Sequence, residues 1–360
     1  MTETSTVRPR ARGRTLAERA ALFDIPVSTA VSPDAEAARR HTIRWLRRYG
    51  VFDKAAAAEY DALRLDRLSA LFYPRARGAA LDLANDLNGW FFVFDDQFDG
   101  ELGCCPDAVS RLVDSVVRVT GEPPGRGPDG GANPLVASFR DLWRRINSGV
   151  SQGWRDRFRS HWLGYLLAHK REARDRRAQS PRSLRSLLAV KRHSVGVQPC
   201  LDLHERFAGC TLPPALHAGW PLAEMRQATD DVVIFINDIV SLDKELAAGD
   251  VHNSVILLHE RDGGPLEESV RRVADLANAR YHRFQHLSER LPATLAASGA
   301  SARLLRHTAA YTDGMRQLMS GSLAWSLETS RYDERGVAAV GGGRQRPWSD
   351  LTGHQATHRR

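Results

Sequence analysis

Two clusters of oxygen-bearing side chains lie inside otherwise apolar stretches of the sequence. The first is Asp95, Asp96 and Asp99 in FFVFDDQFDG, and the second is Asn237, Ser241 and Glu245 in FINDIVSLDKE. Carboxylate, amide and hydroxyl oxygens suit a hard cation such as Mg2+, which takes few protein ligands and completes its shell with substrate phosphate. The residue types therefore predict a site that binds metal ions and a phosphate group.

The spacing of each cluster favours a helix. Asn237, Ser241 and Glu245 follow at intervals of four, which advances about 40° per step around an α-helix and places all three on one stripe. Asp95 and Asp99 are also four residues apart. The alternatives are a solvated helix end for the aspartates and a polar core network for the second cluster. Acids at a helix C-terminus oppose the helix dipole, and a bound metal would offset that destabilisation.

Together the two motifs resemble those of bacterial class I terpene synthases. Members of that family carry an aspartate-rich DDxx(x)D/E segment and, well downstream, (N/D)Dxx(S/T)xx(K/R)E. The second pattern is matched at every defined position from Asn237 to Glu245, and the resemblance extends from about Leu71 to Tyr332. It implies an all-α, single-domain helical bundle with a central active-site cavity, in which a linear prenyl diphosphate is ionised and cyclised.

The resemblance also implies roles for the two clusters. Asp95 would be the main ligand of two Mg2+ ions, with Asp99 beside it, while Asn237, Ser241 and Glu245 would hold a third ion. All three ions are expected only when the diphosphate is bound. A second acidic pair, Asp230 and Asp231, has no acid four residues further on and stays unassigned.

Basic residues are expected to contact the diphosphate. By resemblance, KRHSVGV supplies Arg192 as the diphosphate-binding residue, Val195 as a linker and Gly196 as a helix-break glycine whose carbonyl faces the ionising carbon. A planar guanidinium can grip phosphate at two points, which favours Arg192 over the adjacent Lys191. The alternative is an ordinary solvated basic residue.

Further diphosphate contacts are expected near the chain's end and in the second motif. The residues concerned are Lys244, Arg331 and Tyr332. Lys244 could equally point to solvent, and an Arg-Tyr pair is common by chance. Trp325 lies six residues before Arg331, and this spacing strengthens the assignment of Arg331 and Tyr332 as diphosphate contacts.

Aromatic side chains are candidates for stabilising carbocations. A cation over an aromatic face gains about 0.5–2 kcal/mol without meeting a nucleophile. The candidates are Phe72, Phe91, Phe92 and Trp325. The alternative for each is an ordinary core residue.

The predicted activity is a Mg2+-dependent terpene cyclase with farnesyl diphosphate as the favoured substrate and a cyclic sesquiterpene hydrocarbon or alcohol as product. Geranylgeranyl diphosphate is the alternative substrate. A chain-elongating prenyltransferase would be expected to carry a second DDxxD, which NDIVSLDKE replaces. A different class, a helical protein that binds a prenyl ligand or nucleic acid without catalysis, also remains open.

Helical periodicity places these residues on a bundle. Apolar spacings of three and four dominate the chain, and strand signals are scarce. Ten helices are predicted, over residues 33–50, 54–73, 79–99, 107–120, 134–147, 154–176, 181–200, 221–248, 266–291 and 302–329. The helix from residue 221 is apolar nearly all round, which predicts a position in the middle of the bundle. Asp95 is expected at the rim of an aromatic-lined cavity.

Composition narrows the remaining properties. The chain of 360 residues has a formal net charge of +8, but five of those charges lie in residues 1–14 and 333–360, which lack the interleaved aromatics of nucleic-acid binders. We predict a disordered basic arm at 1–20, a cyclase domain at 21–335 and a disordered tail at 336–360. Residues 121–134 are read as a surface loop.

Cysteine usage and hydropathy indicate the compartment. The four cysteines form no CxxC pair and are too few for a disulfide framework. No signal-peptide core and no run of eighteen apolar residues appears in the sequence. We therefore expect a cytoplasmic protein with no stable membrane insertion and no nucleic-acid partner, and a homodimer is possible.

Overall fold

Helices make up the architecture of the computed structural model, which describes residues 15–28, 30–122, 133–178, 183–333, 336–337 and 346–352. Over these ranges no strand is present. The α-helices in chain order are α1 Leu16–Ala20, α2 Ala35–Arg48, α3 Lys54–Asp61, α4 Leu65–Phe72, α5 Ala79–Asp95, α6 Pro106–Val119, α7 Pro134–Asn147, α8 Gln152–Ala178, α9 Leu184–Ser194, α10 Val197–Phe207, α11 Pro214–Ala218, α12 Leu222–Val240, α13 Leu242–Ala248, α14 Ser254–Asp262, α15 Leu266–Ala297 and α16 Ala302–Glu328. The predicted all-α class is confirmed.

Several predicted helices are divided, each for a local reason. The predicted helix 54–73 is interrupted between α3 and α4, where Arg64 adopts a left-handed φ of 53°. The predicted helix 181–200 breaks at Gly196, which has a φ of 73°. Between α12 and α13 the break is slight, because the amide of Ser241 still bonds the carbonyl of Asn237 and the amide of Glu245 that of Ser241. The second motif thus keeps its helical spacing.

The helix α12 lies in the interior, as its all-round apolar sequence predicts. It packs against α15 and α16, and Val232, Ile234 and Ile239 are completely or almost completely shielded from solvent. Buried apolar residues from Ala20 to Trp348 form one continuous core cluster. Among the described helices, none is both long and apolar enough to cross a bilayer.

Parts of the predicted tails are ordered, which corrects the disorder expected for residues 1–20 and 336–360. Thr15 caps α1 in a reciprocal arrangement with Glu18. The Arg19 guanidinium is buried and bonds both carboxylate oxygens of Asp243, at 3.1 and 3.2 Å. At the other end, Trp348 is 1% exposed. Composition suggested solvated tails, but single large or charged side chains fix each segment to the bundle. Most of the predicted loop at 121–134 lies outside the described residues.

Candidate active site

A central cavity of about 240 Å³ brings both motifs together. Every predicted site residue except Arg192 lines it. These residues are Phe72, Phe91, Phe92, Asp95, Asp99, Val195, Gly196, Asn237, Ser241, Lys244, Glu245, Trp325, Arg331 and Tyr332. They come from α4, α5 and the turn after it, the α9–α10 break, α12, α13 and their junction, α16 and the segment after α16. The bundle thus brings together residues that lie far apart in sequence.

Asp95, the last residue of α5, faces the cavity with 43% of its side chain exposed. Its Oδ1 accepts a hydrogen bond of 2.6 Å from the Tyr165 hydroxyl. Partial desolvation at the cavity wall raises the pKa of Asp95, although the Tyr165 bond acts in the opposite direction. His169 lies 3.4 Å away, but burial lowers its pKa to about 4, so at neutral pH it brings no positive charge. Arg331 also acts on Asp95, but among the described residues it pairs directly with Asp96 rather than with Asp95.

Asp96 and Asp99 point to different partners, because the chain tightens into a 3-10 turn over Asp96–Phe98. Asp96 is completely buried, and its Oδ1 accepts a 2.8 Å hydrogen bond from Arg331. Asp99 pairs with Lys244 at 2.9 Å. Burial alone would raise the pKa of Asp99, but Lys244 and Arg331 outweigh it and the pKa is lowered. Lys244 thus links the two motifs across the cavity.

The second motif keeps its three oxygen-bearing side chains on one stripe. The Asn237 amide nitrogen donates to the Tyr332 hydroxyl at 3.1 Å, which leaves the amide oxygen as the ligand atom. The Ser241 hydroxyl lies 2.7 Å from Glu245 Oε1. The other Glu245 oxygen accepts a 2.8 Å hydrogen bond from Asn253, a residue that no sequence motif marks. Burial raises the pKa of Glu245 to about 7.

The donor set fits Mg2+. Asp95 and Glu245 both have raised pKa values because burial leaves their negative charge undercompensated, and a divalent cation would supply the missing charge. Within the described ranges, no three His, Cys, Asp or Glu side chains are grouped so as to hold a metal. The set that fits instead mixes carboxylate, amide and hydroxyl oxygens, as hard cations accept.

The structure departs from expectation at Arg192. Its guanidinium bonds both carboxylate oxygens of Asp231, at 2.6 and 2.9 Å, and does not line the cavity. Lys191 lines the cavity instead, paired with the buried carboxylate of Asp238 and 2.8 Å from the His252 carbonyl. Adjacent residues on a helix point about 100° apart, and here Lys191 points into the cavity while Arg192 points to Asp231. The Arg192 pair also accounts for Asp231, left unassigned by the sequence.

A second basic residue was missed because nothing in its local sequence marks it. Arg176 in α8 lines the cavity, 3.3 Å from Asp250 and 4.0 Å from Glu172. It lies within REARDRRA, an Arg-rich stretch whose composition is typical of a protein surface. Burial alone would lower the pKa of Arg176, but Asp250 and Glu172 raise it, so the side chain is a permanent cation beside the cavity.

Aromatic faces form much of the remaining wall. Phe92 meets Trp325 edge to face at 5.3 Å, and Arg331 lies 5.1 Å from the Phe92 ring centre. The Trp325 indole N–H donates to the carbonyls of Leu63 and Arg64, which fixes the ring. Phe91 stacks on Trp162 at 4.9 Å. These rings line the cavity and offer no nucleophile to a cation.

Gly196 is required by two features of its position. It has a left-handed φ of 73°, and a Cβ there would lie 3.3 Å from the Phe91 ring. We expect Gly196→Ala to cost about 1–2 kcal/mol of stability from the backbone conformation. It should also shift Phe91 and lower turnover. Thermal unfolding and product assays on the purified variant measure the two effects.

Gly50→Ala is the matched control for this prediction. Gly50 has the same φ of 73°, but nothing lies within 4 Å of a Cβ built there. It should lose similar stability and keep its turnover. Equal loss of turnover in both variants would contradict a role for the Gly196–Phe91 contact.

Comparison with known proteins identifies the family of this chain. The family described as "Terpene synthase family 2, C-terminal metal binding" matches residues 86–283, more than half of the chain. The isoafricanol synthase of Streptomyces violaceusniger is 61% identical over 356 residues, covering 96% of this chain and 92% of its own. A Saccharothrix espanaensis (−)-β-caryophyllene synthase, named as cyclising (2E,6E)-farnesyl diphosphate, is 33% identical and covers 89% and 91%.

A solved structure shows the same arrangement of helices. The linalool/nerolidol synthase of Streptomyces clavuligerus, in complex with 2-fluorogeranyl diphosphate, superposes with a TM-score of 0.75 at 29% identity. The match covers 82% of this chain and 99% of that one. The family match, the 61% identical relative and the shared fold show that the chain belongs to the bacterial class I terpene synthase family.

Proposed function

We propose that this terpene cyclase ionises farnesyl diphosphate in a Mg2+-dependent reaction and releases a cyclic sesquiterpene alcohol. The convergence of Asp95 and the Asn237–Ser241–Glu245 stripe on one aromatic-walled cavity carries the proposal. The substrate follows from the relative named as a farnesyl diphosphate cyclase. The alcohol follows from the 61% identical relative, because the ending of isoafricanol denotes a hydroxyl group.

Ionisation breaks the bond between the allylic carbon and a diphosphate oxygen, and the electron pair leaves with the diphosphate. Bound Mg2+, of which we propose three ions, would neutralise the charge that develops on the leaving group. Asp95 and Asp99 would hold ions at one side of the cavity. Asn237, Ser241 and Glu245 would hold an ion at the other side.

Four basic side chains would bind the diphosphate directly. Arg176, Lys191, Lys244 and Arg331 all line the cavity. Arg331 is the best placed, because its Nη2 bonds Asp96 while its Nη1 is buried and has no acceptor among the described residues. A buried unpaired donor is costly, and a phosphate oxygen would satisfy it. Tyr332, beside Asn237, is a further donor.

The cation left behind would be folded against the aromatic wall. Phe72, Phe91, Phe92 and Trp325 offer faces that attract positive charge and cannot attack it. Water would add to the final cation, and the proton released would pass to the diphosphate in the same cavity. Loss of a proton without water addition would give a hydrocarbon instead.

The test is gas chromatography with mass detection on purified protein incubated separately with geranyl, farnesyl and geranylgeranyl diphosphates. We expect a cyclic alcohol from farnesyl diphosphate with Mg2+, and none after chelation by EDTA. A cyclic product from geranylgeranyl diphosphate alone would replace the substrate assignment. Products lighter by one water would mean deprotonation. No metal-dependent product from any chain length would contradict the proposal.

A chain-elongating prenyltransferase would yield longer diphosphates when given isopentenyl diphosphate, which the same assay detects after phosphatase treatment. The predicted cytoplasmic location, the possible homodimer and the absence of a nucleic-acid partner stay predictions.

A further inference from the structure

We propose that Trp348, in the chain's C-terminal segment, is a positioning residue for the aspartate-rich motif and for Arg331. The inference rests on the proposed metal–diphosphate site. We call residues 346–352 the C-terminal clasp. The clasp lies outside every motif that identifies the family, so neither the motifs nor the family match at residues 86–283 assign it a role.

The link between Trp348 and the site passes through one carboxylate. The indole Nε1 of Trp348 donates to Asp96 Oδ2 at 2.9 Å, while Arg331 donates to Oδ1 of the same carboxylate at 2.8 Å. Asp96 is completely buried, and both of its oxygens are therefore occupied by groups from distant parts of the chain. Arg331 itself lines the cavity, and its other terminal nitrogen, Nη1, has no acceptor among the described residues.

The backbone of the clasp secures the same turn a second time. Gln97 donates from its side-chain nitrogen to the Trp348 carbonyl at 2.6 Å, and its side-chain oxygen accepts from the Leu351 amide at 2.9 Å. Asn133 donates to the Leu351 carbonyl at 2.8 Å. Two successive residues of DDQFD are thus bound to the clasp, while Asp95, immediately before them, and Asp99, two residues after them, face the cavity.

Packing gives the indole only one position. Its ring lies 5.2 Å from Phe52 and 6.0 Å from Tyr60, and the Arg346 guanidinium is 5.9 Å from the ring centre. Arg346 in turn pairs with Glu59 at 2.9 Å. The Trp348 ring is buried and its N–H bonds Asp96. Rotation of the ring would break its packing and this hydrogen bond together, so the ring fixes the orientation of the Asp96 carboxylate. The clasp therefore holds Asp96 rigidly.

The consequence concerns binding more than folding. Groups that orient metal ligands and phosphate donors typically change affinity or activity by about 10–100-fold when removed. Without the indole N–H, Asp96 would gain freedom, Arg331 would follow it, and the neighbouring ligands Asp95 and Asp99 would be less well placed.

The test uses Trp348→Phe, which keeps an aromatic ring and removes the N–H donor. Isothermal titration calorimetry with inorganic diphosphate and Mg2+ measures affinity without turnover. We expect affinity to fall by about tenfold, and the Mg2+ concentration for half-maximal turnover to rise in parallel. Thermal unfolding of each variant, with and without Mg2+ and diphosphate, separates stability from binding.

Trp45→Phe is the matched control. Trp45 is also a buried tryptophan, and its Nε1 donates to Asp141 at the same 2.9 Å, away from the cavity. It should lose comparable thermal stability while binding diphosphate like the parent protein. Equal affinities in the two variants would overturn the inference. If the parent protein itself bound no diphosphate with Mg2+, the proposed function would fail instead.

Discussion

Replacing Asp95 or Asn237 by alanine should reduce terpene formation by at least about 100-fold, since metal ions contribute several kcal/mol to transition-state stabilisation. Asp95 supplies an undercompensated carboxylate on one side of the cavity, and Asn237 an amide oxygen on the other. Neither side chain is needed to form its helix, so circular dichroism should be unchanged. Product formation at saturating Mg2+ and farnesyl diphosphate is the measurement.

Asp82→Ala provides the control for this prediction. Asp82 lies on α5 with Asp95, but it faces His41 at 3.5 Å and does not line the cavity. Its loss should leave product formation near that of the parent protein. Undiminished product from Asp95→Ala or Asn237→Ala would mean that these oxygens do not hold the ions, whatever the substrate proves to be.

Much of this site can be read from the sequence because its ligands come in short motifs on regular helices. The spacing of Asn237, Ser241 and Glu245 sets a single stripe, and the helical backbone bonds through Ser241 preserve it. The apolar context of α12 predicts its burial, which the structure bears out. Periodicity therefore predicts both the bundle and the side of each helix that faces inward.

The parts that could not be predicted depend on contacts between distant segments. Asn253 orients Glu245 from the start of α14, and Trp348 holds Asp96 across 252 positions of sequence. Composition alone made both ends of the chain resemble solvated tails. Arg19 and Trp348 are each buried near one end of the chain. Their burial depends on the folded surface that they contact, and composition does not describe that surface.

The chemistry of single residues does not predict which of Lys191 and Arg192 faces the cavity. Guanidinium chemistry favours Arg192 as the phosphate-binding residue, but in the structure Lys191 lines the cavity and Arg192 does not. Arg192 pairs with the buried carboxylate of Asp231, which also pairs with Arg280 at 3.0 Å. The direction of a side chain on its helix therefore outweighs its intrinsic affinity for phosphate.

Lys191→Met should accordingly lower turnover by about 100-fold, the cost typical of removing one preorganised donor from a developing negative charge. Arg192→Met should change turnover much less and act mainly on stability, by about 2 kcal/mol, because it removes one partner of a buried ion pair while Arg280 remains. Steady-state kinetics with farnesyl diphosphate and thermal unfolding of both variants check the two effects.

Lys191 also neutralises Asp238, so its variant could lose activity simply by unfolding. Lys191→Arg separates the two causes, because it keeps the positive charge beside Asp238. It should retain a folded bundle and intermediate turnover, whereas Lys191→Met should lose turnover even at temperatures where its circular dichroism is that of the parent. If Arg192→Met lost turnover and Lys191→Met kept it, the diphosphate would be bound by Arg192, and α9 would have to rotate when substrate enters.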